Sequence, residues 1–176
     1  MTEYLFILGR TSDLCRNELE AVLKAKKINY QTLFSSPEVF HIETETELDA
    51  DSLIKILGGT IKIAKVFTVL QKIDEEEIIK NVALILKQVQ NSVEKKTLNF
   101  GLSGYGGIYS NDLNHWSIKV KENLEESNFK VRFILPKDET KLSSVVVKKQ
   151  KIIEIIIVND SGHLPADATH QALQAG

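Results

Sequence analysis

The chain has one cysteine, one methionine, one tryptophan and three prolines in 176 residues. A single thiol excludes an internal disulfide, and no Cys-x-x-Cys pair is present to ligate zinc. No apolar run approaches the roughly 20 residues that a membrane helix needs. The opening stretch Met-Thr-Glu-Tyr-Leu-Phe-Ile-Leu lacks a basic n-region and reads as a strand rather than a signal peptide. These absences point to the cytoplasm. The four histidines, His41, His115, His163 and His170, show no H-x-x-x-H spacing, and no nucleophile lies near a base in any recognisable pattern. The net charge of -2 indicates no partner class by itself, and 43% hydrophobic residues suffice for a packed core.

What is present is patterned. Tyr4–Leu8 is continuously apolar, as a buried strand is, and Gly9-Arg10 ends it. Thr11 or Ser12 suits the cap of a helix whose apolar face is Leu14, Cys15, Leu19, Val22 and Leu23. Within that face Cys15 reads as a structural thiol. Ile28–Phe34 and Glu38–Thr44 are strands around a Ser35-Ser36-Pro37 break. Asp49–Leu57 is a short helix closed by Gly58-Gly59, and Thr60–Leu70 is a further strand. The order β-α-β-β-α-β is ferredoxin-like and defines a first domain over residues 1–71.

Asp74–Val93 is the strongest helix, acidic at Asp74–Glu77, with Ile78, Val82, Ile85, Leu86, Val89 and Val93 as its stripe. A strand from Leu98 then runs into the glycine-rich stretch Gly101–Gly107. Asn111 suits the cap of a helix reaching about Ser127, with Leu113, Trp116, Val120 and Leu124 inward and His115 outward. Phe129–Leu135, Leu142–Val147 and Ile152–Val158 read as strands, the last apolar on both faces. The second domain, 72–160, is therefore α-β-α-β-β-β. The fold class is α+β, two tandem α/β sandwich units. Residues 161–176 have no lysine or arginine and read as a tail or linker with little packing.

The glycine-rich stretch does not fit a nucleotide cradle. A dinucleotide loop needs G-x-G-x-x-G opening directly into a helix. Here Gly104-Tyr-Gly106 is followed at the third position by Tyr109. There is no Gly-Lys-Ser/Thr of a P-loop, and Asn99-Phe100 stands where an S-adenosylmethionine loop would carry an acid. Pro37, Pro136 and Pro165 are never adjacent, which excludes the Asn/Asp-Pro-Pro-Tyr/Phe motif that holds a base amine for methylation. A charge asymmetry remains. Lys130, Arg132, Lys137, Lys141, Lys148, Lys149 and Lys151 face only Asp138 and Glu139 between residues 130 and 151. A local excess of cations is what a phosphate-facing surface requires.

Five segments in order carry a resemblance: Tyr4-Leu-Phe-Ile-Leu-Gly-Arg10, Glu18-Leu-Glu20, Leu57-Gly-Gly-Thr-Ile-Lys-Ile63, Phe100-Gly-Leu-Ser-Gly-Tyr-Gly106 and Leu142-Ser-Ser-Val-Val-Val147. Together they resemble the N-terminal half of the archaeal-type tRNA guanosine-N2 (guanine-10) methyltransferases, over roughly residues 3–158. The resemblance implies a ferredoxin-like domain followed by a THUMP domain that docks the acceptor end of tRNA. In that family a methyltransferase domain using S-adenosylmethionine comes after both. No segment here corresponds to that domain. The implied cofactor therefore belongs outside this chain, none of the family's catalytic residues has a position here, and the chain alone should not methylate.

The sequence thus predicts an RNA-binding module in tRNA modification. Its contacts would be Lys130, Arg132, Lys141, Lys148 and Lys149 on a basic sheet face. Gly104, Tyr105 and Gly106 would form a close-approach turn, with Tyr105 either a base-stacking or a packing side chain. The alternative is a regulatory or assembly module for a protein partner or small ligand, since such folds host both.

Overall fold

A computed structural model describes residues 1–92, 97–137, 139–159 and 169–174, the last of these through their backbone. The chain forms two compact units, residues 1–66 and 67–174. The tandem α+β architecture expected from the sequence is the one observed. Among the described residues no helix is long and apolar enough to cross a membrane.

The first unit contains β1 (Thr2–Leu8), α1 (Ser12–Ala25), β2 (Tyr30–Ser35), β3 (Val39–Thr44), α2 (Ala50–Ile56) and β4 (Thr60–Leu70), whose last residues enter the second unit. The strand order is β2-β3-β1-β4, with every pairing antiparallel. Alternation along the strands sends Tyr4, Phe6, Leu8, Phe40, Ile42 and Ile63 to one face. There they pack with Cys15, Leu19 and Leu23 of α1 and with Leu53 of α2. Asp49 caps α2 by accepting from Ser52 N–H at 3.0 Å, and the Leu48 N–H donates to the Tyr4 hydroxyl at 2.9 Å.

Two glycines tie α1 to the start of β4. Glu18 accepts from the N–H groups of Gly58 at 3.0 Å and Gly59 at 2.8 Å. These bonds favour the carboxylate and hold its pKa below the ordinary value. A Cβ on Gly59 would lie 2.6 Å from the Cys15 sulfur and 2.9 Å from its Cα. The cysteine is a buried, unpaired thiol with a neighbour made of backbone.

The second unit contains α3 (Glu75–Ser92), β5 (Leu98–Tyr105), α4 (Ser110–Glu126), β6 (Val131–Phe133), α5 (Ser144–Gln150), β7 (Ile153–Asn159) and β8 (Thr169–Gln174). The strand order is β8-β7-β5-β6. β5 is parallel to both β6 and β7, and β8 is antiparallel to β7. The main core joins Ile78, Val82, Ile85 and Leu86 of α3 and Leu113, Trp116, Val120 and Leu124 of α4 to Phe100, Leu102, Ile155 and Ile157 of the sheet. His115 lies on the exposed side of α4, where its Nε2 is 3.0 Å from Glu75 Oε1.

Three expectations are corrected. Leu142–Val147 is not a strand, and its last four residues open α5. Ser143 caps that helix by accepting from Val146 N–H at 3.3 Å. Lys151, left-handed at φ 50°, closes it, and Ile152 N–H returns to the Val147 carbonyl at 3.0 Å. Within the expected tail, Thr169–Gln174 forms β8 along β7, from Asn159↔Thr169 to Ile155↔Leu173. The α4 cap is Tyr109, not Asn111. Val93, Asp138 and His163 lie outside the described residues.

Two tests follow from the first unit. Gly59→Ala should destabilise it by about 1–3 kcal/mol, because the new methyl meets the Cys15 backbone rather than a movable side-chain end. Chemical denaturation followed by circular dichroism measures this, and unchanged stability would refute the close approach. Glu18→Gln should also destabilise, in a pH-dependent way. The folded pKa is depressed, so the carboxylate's contribution is present above its unfolded value near 4.5 and lost as pH falls through the folded value. The stability gap between wild type and Glu18→Gln should therefore be widest near neutral pH and close progressively below about pH 4.5.

Candidate nucleic-acid interface

The candidate interface is built on β5. Phe100 and Leu102 point into the core under α3 and α4, so Asn99, Gly101 and Ser103 point to the other face. The segment carrying α5 lies on that face. A Cβ on Gly101 would run into Leu142 Cδ1 and lie 2.9 Å from the Ile134 carbonyl. Ser103 accepts from Leu142 N–H at 2.9 Å and donates to Glu154 Oε1 at 2.5 Å. Asn99 Nδ2 donates to the Gln150 carbonyl at 3.0 Å. Leu142, Val147 and Ile152 form a small core beneath the helix with Ile134 and Val146. These contacts make α5 antiparallel to β5. Its N-terminus lies towards Tyr105 and its C-terminus towards Leu98.

This arrangement divides the predicted cations. Arg132 is in register with Asn99, and the Lys130 carbonyl accepts from Leu98 N–H at 3.0 Å. Lys148 and Lys149 occupy the last turn of α5, just before Gln150, and Lys151 follows. All five cations are exposed at one end of β5. None has an ion-pair partner among the described residues. Lys65, Lys72, Lys119 and Lys121, by contrast, pair with Glu47, Asp74, Glu122 and Glu125. Part of the role of Lys148 and Lys149 is local, since cations favour a helix C-terminus.

Lys141 lies at the other end. Its Nζ is 4.8 Å from the centroid of the Tyr105 ring. The adjoining Thr140 exchanges bonds with Gly104, N–H to carbonyl at 2.7 Å and hydroxyl to carbonyl at 3.1 Å. Six residues of strand, about 20 Å, separate Asn99 from Tyr105. The cations therefore do not form one cluster. Four of the five predicted lie at one end, on the edge strand β6 and the helix α5, and Lys141 stands apart.

The glycine turn also differs from its sequence reading. Gly104 and Tyr105 belong to β5, and the turn is Gly106-Gly107 at φ +74° and +87°. A Cβ on Gly104 would lie 2.8 Å from Ile108 Cγ2, and one on Gly106 would collide with the Asn159 carbonyl. Both spaces are filled by the protein itself, so the close approach at each glycine is internal. Tyr105 is only 4% exposed, which makes it the packing residue and not the stacking one. The most exposed aromatic of this unit is Tyr109, at 72%. Tyr109 is not among the contacts expected from the sequence, although its position just ahead of the α4 stripe is a usable signal.

Elsewhere, no cluster of three or more His, Cys, Asp or Glu among the described residues could hold a metal. In the first unit a shallow groove of about 570 Å³ lies between α1 and β2, lined by Asn17, Glu20, Ala21, Lys24, Lys27, Ile28, Asn29 and Tyr30. Burial and the nearby Glu20 carboxylate push the Tyr30 hydroxyl above its ordinary pKa. The mixed charge of this groove gives it no clear ligand.

The chain matches no protein-family model and no curated protein sequence. Its fold is shared with solved structures at low identity. PH1313 from Pyrococcus horikoshii Ot3 superposes with a TM-score of 0.64 at 15% identity, over 98% of this chain and 54% of that one. TrmN from Thermus thermophilus gives 0.56 at 10% identity, over 99% of this chain and 46% of that one. A 4-thiouridine synthetase, solved as an RNA complex with bound ATP, gives 0.53 at 12% identity, over 99% and 41%. The chain thus spans about half the length of the structures whose fold it shares.

Proposed function

We propose that this chain is the RNA-binding part of a tRNA-modifying protein, in which the first unit is ferredoxin-like and the second THUMP-like. The observation that carries the reading is the group of exposed cations without ion-pair partners among the described residues, Lys130, Arg132, Lys148, Lys149 and Lys151, at one end of β5. Cations left unneutralised within one protein are available to phosphates. The fold shared with a 4-thiouridine synthetase solved with RNA supports the same direction. So do the ordered segments that resemble the tRNA guanosine-N2 methyltransferases.

The mechanism is positioning. Arg132 and the α5 lysines neutralise backbone phosphates and set the register of the RNA, with the acceptor end as the proposed region of contact. Methyl transfer and S-adenosylmethionine belong, in this reading, to a further domain of the parent protein. No side chain described here is assigned to either.

Binding of tRNA across a range of salt concentrations tests this. The observed affinity should fall steeply with salt. Arg132→Ala combined with Lys149→Ala should weaken binding and make the slope of log K against log salt shallower by about two. Lys141→Ala should leave that slope nearer the wild-type value. Absence of tRNA binding at low salt would overturn the RNA reading in favour of a regulatory or assembly module.

A further inference from the structure

We infer that Tyr109 is a stacking platform for an RNA base, set at the opposite end of β5 from the phosphate-binding cations. This rests on the RNA-binding reading of the second unit. The first observation is exposure. Tyr109 is 72% exposed, whereas Tyr4, Tyr105 and Trp116 are buried at 3%, 4% and 5%. Phe67, the other markedly exposed aromatic, is at 44%. A tyrosine face left in water is a sequence-tolerant surface for a base.

The second observation is rigidity. Tyr109 has extended backbone at φ -93° and ψ 153°, and its carbonyl accepts from Leu113 N–H at 3.2 Å. Ile108 before it and Leu113 after it are buried in the core. The ring is therefore carried by fixed backbone, and a base that stacks on it does not have to order a loop. The approach is open as well. Nothing lies within 4 Å of the Cβ position at Gly107, and Ser110 and Asn111 are exposed.

The third observation concerns charge, and it separates a base from a phosphate. Asp112 Oδ2 accepts from the Tyr109 N–H at 3.4 Å, so a carboxylate already occupies the head of α4. A phosphate there would meet like charge, while the face of a neutral base would not. The ligand class is thus a nucleotide whose base is free of a duplex. One base of a single strand lies against the Tyr109 ring, and phosphates several nucleotides along the strand lie at the cations about 20 Å away at the other end of β5.

The test uses the full chain and a short single-stranded RNA carrying 2-aminopurine, whose fluorescence is quenched by stacking. Tyr109→Ala should weaken binding about 5- to 150-fold and abolish the quench. The salt slope should stay at the wild-type value, because no phosphate contact is lost. Tyr109→Phe should keep both affinity and quench, since the ring face is retained. Wild-type affinity and quench in Tyr109→Ala, or a loss accompanied by a shallower slope, would overturn the inference and leave the RNA reading standing. Failure of the wild-type chain to bind RNA at low salt would overturn both.

Discussion

Leu142 occupies the space that a side chain at Gly101 would need. The second unit's outer face depends on that contact. It seats the segment leading into α5 directly on β5, and Ser103 fixes it by accepting the Leu142 N–H. The same hydroxyl donates to Glu154, which is fully buried on β7. A buried carboxylate costs several kcal/mol when its hydrogen bonds are removed. Sliding α5 along β5 would break the Ser103 link between the Leu142 N–H and Glu154 Oε1, so the helix has one address. That address puts Lys148 and Lys149 beside Arg132 and not beside Lys141.

The first unit uses the same device with different partners. Gly59 leaves room for Cys15, Gly9 N–H donates to the Gly59 carbonyl at 2.8 Å, and Glu18 gathers the two N–H groups of the turn. In both units a glycine inside or next to a strand receives another part of the chain, and a side chain with spare hydrogen-bonding capacity locks the fit. Glycine-rich stretches in this protein are therefore records of internal close approach. Among the described glycines only Gly107 faces open space.

This explains which parts of the structure were legible in the sequence. The stripes of α1, α3 and α4 extend over several turns, and their period identifies them against any local propensity. α5 has only seven residues, and three consecutive valines favour a strand by propensity, so no period emerges. Its signals were the Ser143 cap and the lysines at its end, both weaker than the valine run. β8 was hidden because its residues carry no alternating pattern, and only pairing with β7 gives them an edge to complete. At the interface, the cationic residue types were readable, but their division between two ends of β5 depends on the direction of α5. Tyr105 drew attention because it sits between glycines, yet strand alternation and the chain around Lys141 bury it.

The net charge of -2 is no obstacle to polyanion binding because the opposing charges are kept apart. The acids at the end of α4, Glu122 and Glu125, lie at the same end of β5 as Arg132 but across the sheet from α5. They are already engaged by Lys119 and Lys121, and Glu126, the last residue of α4, is exposed on the same helix. α4 and α5 lie on opposite faces of the sheet, two packed layers or about 20 Å apart, well beyond the Debye length of roughly 8–10 Å at moderate salt. Acids on the α4 side therefore weaken the potential on the α5 side only slightly. The field that an approaching phosphate meets is set by the side chains on its own face. On that face the last turn of α5 and the edge of β6 carry Lys148, Lys149, Lys151 and Arg132, with no acid in the α5 sequence to offset them. The sheet thus works as a partition: it lets a weakly acidic protein keep one strongly basic corner.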